Sequence, residues 1–253
     1  MITDDFKILR SHGIQYVKDL TKVNLTELFR GRPVISNNLT LLERKAVIQL
    51  CPVKALSGED NLKLDLGICV YCKECQFALP DKIKFTNDYK LASNHRDNLI
   101  IKEGIDEAVS FNMDALRPEV LKLFSKSLKL RQVSAGGDAS NEMELNAAGN
   151  VNFDMGRYGI EFVASPRHAD GIVITGPISE NMSRALQITY DAVPQPKLVI
   201  LVGSDAISGG IFAESKALNR TFLNDIKVDL YVPGNPAHPL TFINGLLKLT
   251  GRI

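Results

Sequence analysis

Gly171-Ile-Val-Ile-Thr-Gly176 and Lys197-Leu-Val-Ile-Leu-Val-Gly203 are two uninterrupted apolar runs that both end in glycine. Strands that are buried on both faces have this pattern, and such strands are typical of parallel sheets. The residues between them, Glu180–Asp191, have helical spacing, which predicts a βαβ unit with a right-handed crossover. A further strand over Val228–Pro233 and a closing helix over Pro239–Leu249 complete a small open α/β domain. Ligands of such domains usually bind beyond the carboxyl ends of the strands.

The first half of the chain has a different pattern. Thr40–Leu50 carries an apolar helical stripe, whereas Leu62–Leu66 and Lys82–Thr86 alternate as half-buried strands do. The polar stretch Asn87–Asn98 is the candidate linker, and a helical pattern returns over Glu107–Leu130. We therefore predict an α+β module over residues 1–95, a linker and helix over 96–130, and an α/β domain over 131–253.

Composition narrows the class of protein. The chain has 253 residues, 45% of them hydrophobic, and a formal net charge of +1. Near-neutral charge argues against a nucleic-acid binder, which needs a basic face for the phosphates. The sequence has no apolar run of about 18 residues that could span a bilayer, and no signal peptide at its acidic N-terminus. We expect a cytoplasmic protein or a peripheral subunit of a larger assembly.

All four cysteines lie between positions 51 and 75, as Cys69-x-x-Cys72-x-x-Cys75 and a Cys51 that directly precedes proline. Thiolates spaced by two residues can reach three corners of a cubane, and a distant Cys-Pro supplies the fourth. Zinc and disulfides remain alternatives, although zinc usually takes two separated cysteine pairs and disulfides need an oxidising compartment. The pattern predicts one 4Fe–4S cluster bound by Cys51, Cys69, Cys72 and Cys75.

This arrangement resembles a two-cluster ferredoxin domain that has kept one cluster. Each motif of such a domain reads C-x2-C-x2-C-x3-C-P. In that register the ligands of the other cluster would fall at Leu41, Arg44, Val47 and Leu79, and none of these is a cysteine. The resemblance implies a ferredoxin-like N-terminal module with one complete and one lost cluster site.

A second resemblance runs from about Phe124 to Leu249. The stretches that carry it include Ser165-Pro-Arg-His-Ala-Asp170, Thr175-Gly-Pro-Ile-Ser-Glu-Asn-Met182, Gly209-Gly-Ile-Phe212 and Tyr231-Val-Pro-Gly-Asn-Pro236. They are similar to the small subunit of membrane-bound, formate-hydrogenlyase-like (group 4) NiFe hydrogenases and to its homologue in respiratory complex I. The resemblance implies a flavodoxin-like α/β domain.

That family binds a 4Fe–4S cluster beside its large subunit, and the resemblance places the ligand positions here at Asp138, Asn141, Asp205 and Asn235. Carboxylates and neutral amides are poor ligands for an iron–sulfur cluster. We expect a degenerate site without a cluster, filled by hydrogen-bonding groups or water. A repurposed pocket that binds a small ligand or a hard cation through Asp138 and Asp205 remains an alternative.

The resemblance implies an electron-transfer subunit of an oxidoreductase complex, with one 4Fe–4S cluster and no catalytic residues of its own. Its expected partners are a hydrogenase-like or complex-I-like large subunit and other subunits of a membrane-associated complex. These partners would hold it at the cytoplasmic face of the membrane, although it has no transmembrane segment of its own. The alternative is a scaffold subunit in which the cluster is mainly structural and the α/β domain only docks the large subunit.

Overall fold

The computed structural model describes residues 2–13 and 15–253. Its helices and strands, in chain order, are α1 (Ile2–His12), β1 (Pro33–Ile35), α2 (Leu41–Leu50), β2 (Leu56–Ser57), β3 (Lys63–Asp65), α3 (Glu74–Ala78), β4 (Ile83–Phe85), β5 (Ile100–Lys102), α4 (Pro118–Phe124), β6 (Leu128–Ser134), α5 (Ser140–Ala148), β7 (Ile160–Phe162), β8 (Gly171–Thr175), α6 (Glu180–Ala192), β9 (Leu198–Val202), α7 (Ser204–Ser208), α8 (Phe222–Asp225), β10 (Leu230–Val232) and α9 (Pro239–Leu249). Within these described residues, no helix has both the length and the apolar character needed to cross a membrane.

A five-stranded parallel sheet forms the second half, with the strand order β10-β9-β8-β6-β7. Every residue of β8 and β9 is buried, which confirms the interpretation of the two apolar runs. Counted from β6 as the first strand, the order read from β7 is 2-1-3-4-5, which is the flavodoxin-like order. The predicted α/β fold is therefore confirmed, and the loops after β6, β8, β9 and β10 meet at one edge of the sheet.

The first half contains two small antiparallel sheets. One pairs β1 with β4, and the other has the order β2-β3-β5. Helix α2 begins with a capping box, in which the side chain of Thr40 accepts from the backbone of Glu43 and Glu43 bonds back to the N-cap. From β1 to β4 the elements run β-α-β-β-α-β, and β5 is added from the segment that the sequence indicated as linker and helix.

Residues 87–98 are packed against the parallel sheet, although their polar sequence predicted a linker. Tyr89 and Leu91 are buried, and Ser93 exchanges two backbone hydrogen bonds with Tyr231 of β10, at 3.0 and 2.8 Å. The Tyr89 carbonyl accepts from the Thr241 hydroxyl of α9. This polar stretch can be buried because the polar groups of Ser93 and Tyr89 form hydrogen bonds with β10 and α9 of the α/β half. One hydrophobic core joins the cysteine-bearing module to the face of the sheet that carries α6 and α7.

Candidate cysteine site and the strand-end loops

The four cysteines line one cavity. Cys51 follows the last residue of α2, Cys69 and Cys72 lie in the turn after β3, and Cys75 lies in α3. The cavity walls are largely apolar and include Val53, Leu56, Leu64, Val70 and Phe85. The structure therefore brings together the four thiols that the spacing singled out.

Backbone amides point at two of the sulfur atoms. Ala55 N–H donates to Cys51 Sγ at 3.2 Å, and Tyr71 N–H donates to Cys69 Sγ at 3.3 Å. Burial raises the pKa of Cys69 to about 12 and that of Cys75 to about 11. These two cysteines therefore remain neutral thiols at pH 7 unless a cation stabilises the thiolates.

The backbone on either side of Cys72 is left-handed. Tyr71 has a φ of 55° and Lys73 a φ of 69°, although neither is a glycine. Such conformations each cost of order 1 kcal/mol or more and are concentrated at ligand sites. They turn the chain sharply, so that consecutive cysteines face the same cavity.

The donor set fits a cubane. Four sulfur donors, an apolar wall and amide N–H groups near the sulfurs are the features that bind and tune an iron–sulfur cluster. Among the described residues, no three His, Cys, Asp or Glu side chains converge closely enough to hold a single metal ion. A cubane does not require such convergence, because each thiolate binds a different iron atom.

An ion pair and apolar packing occupy the positions at which the ferredoxin resemblance would place the ligands of a second cluster. Arg44 donates from Nε and Nη2 to the two carboxylate oxygens of Glu103, both at 2.7 Å. The Glu103 side chain is 3% exposed and also accepts from Leu62 N–H at 2.9 Å. Val47 is fully buried in the core, and Leu79 packs against it. Of the four positions that the ferredoxin resemblance indicated, Val47 and Leu79 thus belong to the core, and Arg44 belongs to an ion pair with the buried Glu103.

Hydrogen bonds join the strand-end loops at the positions that the small-subunit resemblance indicated as cluster ligands. Asn141, buried at the start of α5, accepts from Ala237 N–H at 2.9 Å through its side-chain oxygen. Asn235 is exposed and donates from its amide to the hydroxyl of Ser204 at 2.9 Å. The loops after β6, β9 and β10 are therefore linked by amide side chains.

The carboxylates at this edge are in different surroundings. Asp138 is exposed and accepts from the backbone and hydroxyl of Ser140, which lowers its pKa. Asp205 is 8% exposed, and within the described part of the chain its Oδ1 has no hydrogen-bond partner. Burial raises the pKa of Asp205, and the charge of Asp138 raises it further, whereas Arg220 lowers it.

Arg220 is a residue of this edge that the sequence did not indicate. Its guanidinium donates to the carbonyl oxygens of Pro177 at 3.0 Å, Asp205 at 3.2 Å and Ala206 at 2.8 Å. In the sequence, Arg220 falls outside the predicted strands and helices and outside every motif that we identified. Its four backbone acceptors, which include Ile207, are more than ten residues away in the chain, so only the tertiary structure shows this role.

We expect Asp205→Asn to stabilise the protein at neutral pH by about 1 kcal/mol, because it removes a buried carboxylate whose Oδ1 is unpaired. When folding raises the pKa of a carboxyl group, the free energy of unfolding decreases as the pH rises from the unfolded-state pKa to the folded-state pKa. The difference between variant and wild type should therefore vanish below the ordinary Asp pKa of about 3.9. Urea unfolding at pH 7.5 and pH 3.5 measures it, with Asp225→Asn as the exposed control. Equal stability of Asp205→Asn and wild type at pH 7.5 would contradict the prediction.

A groove of about 220 Å³ connects the two regions. Its lining includes Val70 and Tyr71 of the cysteine turn, and Asn235 and His238 from the loop after β10. Burial lowers the pKa of His238 to about 4, and its Nδ1 accepts from Leu240 N–H at the start of α9. Val70 also lines the cysteine cavity. The cysteine turn is therefore separated from the loop after β10 by one groove.

The fold and these loops define a flavodoxin-like α/β domain attached to a cysteine-bearing module. Residues 139–249 match the family described as NADH ubiquinone oxidoreductase, 20 Kd subunit. An NADH-quinone oxidoreductase subunit of Heliobacterium modesticaldum is 38% identical over 155 residues, which are 60% of this chain and 88% of that protein. The chain belongs to this family.

Two further similarities come from archaeal respiratory and hydrogenase proteins. The probable membrane-bound hydrogenase subunit mbhJ of Pyrococcus furiosus is 32% identical over 129 residues, which are 51% of this chain and 77% of that protein. A chain of the membrane-bound sulfane sulfur reductase, an archaeal respiratory membrane complex, is 29% identical. It covers 54% of this chain and 75% of its own length, with a TM-score of 0.46.

Proposed function

We propose that this protein is an electron-transfer subunit of a respiratory or hydrogenase-type membrane complex, with one 4Fe–4S cluster on Cys51, Cys69, Cys72 and Cys75. The cluster, when bound, supplies one-electron oxidation and reduction. The chain contributes the four thiolates, the amide donors of Ala55 and Tyr71, and an apolar cavity that limits access of water. The subunit has no catalytic residues in this proposal.

The observation that carries the proposal is the convergence of all four cysteines on one cavity. The β-α-β-β-α-β order from β1 to β4 supports a ferredoxin-like module within residues 1–95, because ferredoxin-like motifs have this order. Residues 131–253 form the α/β domain of the proposal, and residues 96–130 connect the two.

The second part of the proposal concerns the strand-end site. Asp138, Asn141, Asp205 and Asn235 offer hard or neutral donors, and Asn141 and Asn235 are already hydrogen-bonded to Ala237 and Ser204. Such a donor set disfavours a cubane, so this edge of the sheet carries no cluster. The ferredoxin-like site is then the only redox centre of the chain in our proposal.

The relatives, which are subunits of NADH-quinone oxidoreductase and of a membrane-bound hydrogenase, support assembly with other subunits. We propose a large-subunit homologue as the main partner, with the complex holding this chain at the cytoplasmic face of a membrane.

Iron and acid-labile sulfide analysis of the anaerobically purified chain tests the function. We expect about four irons and four sulfides per chain, and an EPR signal that appears on one-electron reduction. Eight irons per chain, or one zinc without labile sulfide, would contradict the proposal. A cluster that resists reduction by strong reductants would favour a structural role instead.

A further inference from the structure

Asp65, the last residue of β3, bonds to both segments that carry cysteines. Its backbone N–H donates to the Ala55 carbonyl at 2.9 Å, and Ala55 N–H donates to Cys51 Sγ at 3.2 Å. Its own carbonyl accepts from Cys69 N–H at 2.9 Å. Its carboxylate accepts from Gly67 N–H at 2.8 Å and closes the turn that leads to Cys69. Asp65 therefore fixes the isolated cysteine relative to the group of three.

Arg96 holds the Asp65 carboxylate in place. Its Nη1 and Nη2 donate to Asp65 Oδ1 and Oδ2 at 2.8 and 2.7 Å, which is a bidentate pair. The side chains are 30% and 17% exposed. Arg96 comes from the segment that joins the two halves. In the same segment, the Leu99 carbonyl accepts a hydrogen bond from Leu66 N–H at 2.9 Å.

The turn itself leaves no room for a side chain at Gly67. A Cβ atom there would lie 2.9 Å from Arg96 Cζ and 2.7 Å from Cγ2 of Ile207, which belongs to α7. The guanidinium thus lies against the backbone two residues before Cys69, where its positive charge neutralises the Asp65 carboxylate beside the cysteine turn.

We propose that Asp65 and Arg96 are positioning residues for the iron–sulfur cluster, and that the Arg96 charge raises the reduction potential of that cluster. This inference rests on the proposed function. Partners that orient metal ligands typically change metal affinity by roughly 10- to 100-fold when they are removed. Reduction adds a negative charge to the cluster, so a nearby cation favours the reduced form.

The test compares Arg96→Met with wild type as the full chain, reconstituted anaerobically with iron and sulfide. We expect iron loss to an excess of chelator at least about tenfold faster in Arg96→Met. We also expect a more negative midpoint potential in an EPR-monitored titration. Arg96→Lys keeps the charge but loses the bidentate geometry, so its iron loss should be faster while its potential stays near that of wild type.

Lys82→Met is the matched control. Lys82 Nζ contacts both carboxylate oxygens of Glu43 at 2.7 Å, with side-chain exposures of 24% and 27%. Its other side-chain bond goes to the Asn38 carbonyl, so the variant removes one positive charge from the same module without breaking a bond to either cysteine segment. We expect wild-type iron loss and potential for this variant.

Equal effects of Arg96→Met and Lys82→Met, or no effect of Arg96→Met, would overturn the inference and leave the proposed function intact. If Arg96→Met does not fold, Arg96→Lys provides the test. Iron loss at the wild-type rate in Arg96→Lys would also overturn the inference. A wild-type protein that binds no iron and sulfide would overturn both the inference and the proposed function.

Discussion

Joint replacement of Cys69 and Cys72 by alanine should reduce bound iron from about four atoms per chain to less than one. Two thiolates cannot hold a cubane, whereas a single replacement leaves three. Because cluster binding is also folding energy for a module of short elements, we expect the melting temperature of the double variant to fall to that of chelator-stripped wild type. Iron analysis and thermal unfolding of anaerobic samples measure both effects.

Leu79→Ser is the control for this prediction. Leu79 is a position at which the ferredoxin resemblance would place a cysteine, and it packs against the same core, but it does not line the cysteine cavity. It should retain a full complement of iron. Four irons in the alanine double variant, or equal iron loss in Leu79→Ser, would show that the four cysteines are not the ligands.

Glu103→Leu should lower the free energy of unfolding by about 1–3 kcal/mol, because it leaves the N–H of Leu62 and the guanidinium of Arg44 without their partner. Hydrogen bonds from Arg44 lower the pKa of Glu103. The contribution of Glu103 to the free energy of unfolding is therefore fully present above the ordinary Glu pKa. It is lost as the pH falls through the lowered pKa of the folded protein. Denaturant unfolding at pH 7 measures the loss.

Two further variants serve as controls for the Glu103→Leu measurement. Glu59→Leu removes an exposed carboxylate that pairs with Lys45 at 3.2 Å, and it should cost less than about 1 kcal/mol. Combining Glu103→Leu with Arg44→Met removes both charges and should recover part of the lost stability. A double variant that is less stable than Glu103→Leu alone would mean that Arg44 stabilises the core through other contacts.

The predictions that succeeded depend on patterns within short stretches. The apolar runs at 171–176 and 197–203 became β8 and β9, and the closing helix has the predicted bounds Pro239–Leu249. Strand β6 was missed, because the helical pattern was extended over Glu107–Leu130. In the structure helix α4 ends at Phe124, and the alternating residues Leu128–Ser134 form the strand. Its place between β7 and β8 depends on neighbours that are about 30 to 40 residues away in the chain.

The polar stretch Asn87–Asn98, which the sequence indicated as a linker, is packed against the other half through contacts of the same long-range kind. Polarity favours exposure only where polar groups lack partners within the protein, and Ser93 and Tyr89 find theirs on β10 and α9. Distant partners also decide the surroundings of the positions that the two resemblances indicated as further cluster ligands. The sequence shows which residues stand there, but it does not show that Glu103 pairs with Arg44 or that Ala237 bonds to Asn141.

The sequence by itself determined the parallel α/β fold, the family and the candidate cysteine ligands, because each depends on residue types at short, regular spacing. Only the tertiary structure decided that all four thiols line one cavity and that Asp65 and Arg96 hold the cysteine turn in place. It also decided that Asp205 is buried with an oxygen that is unpaired among the described residues. These features depend on contacts between residues far apart in the chain, such as Asp65 with Arg96 and Gly67 with Ile207. Such contacts exist only once hydrophobic burial has packed the two halves around one core.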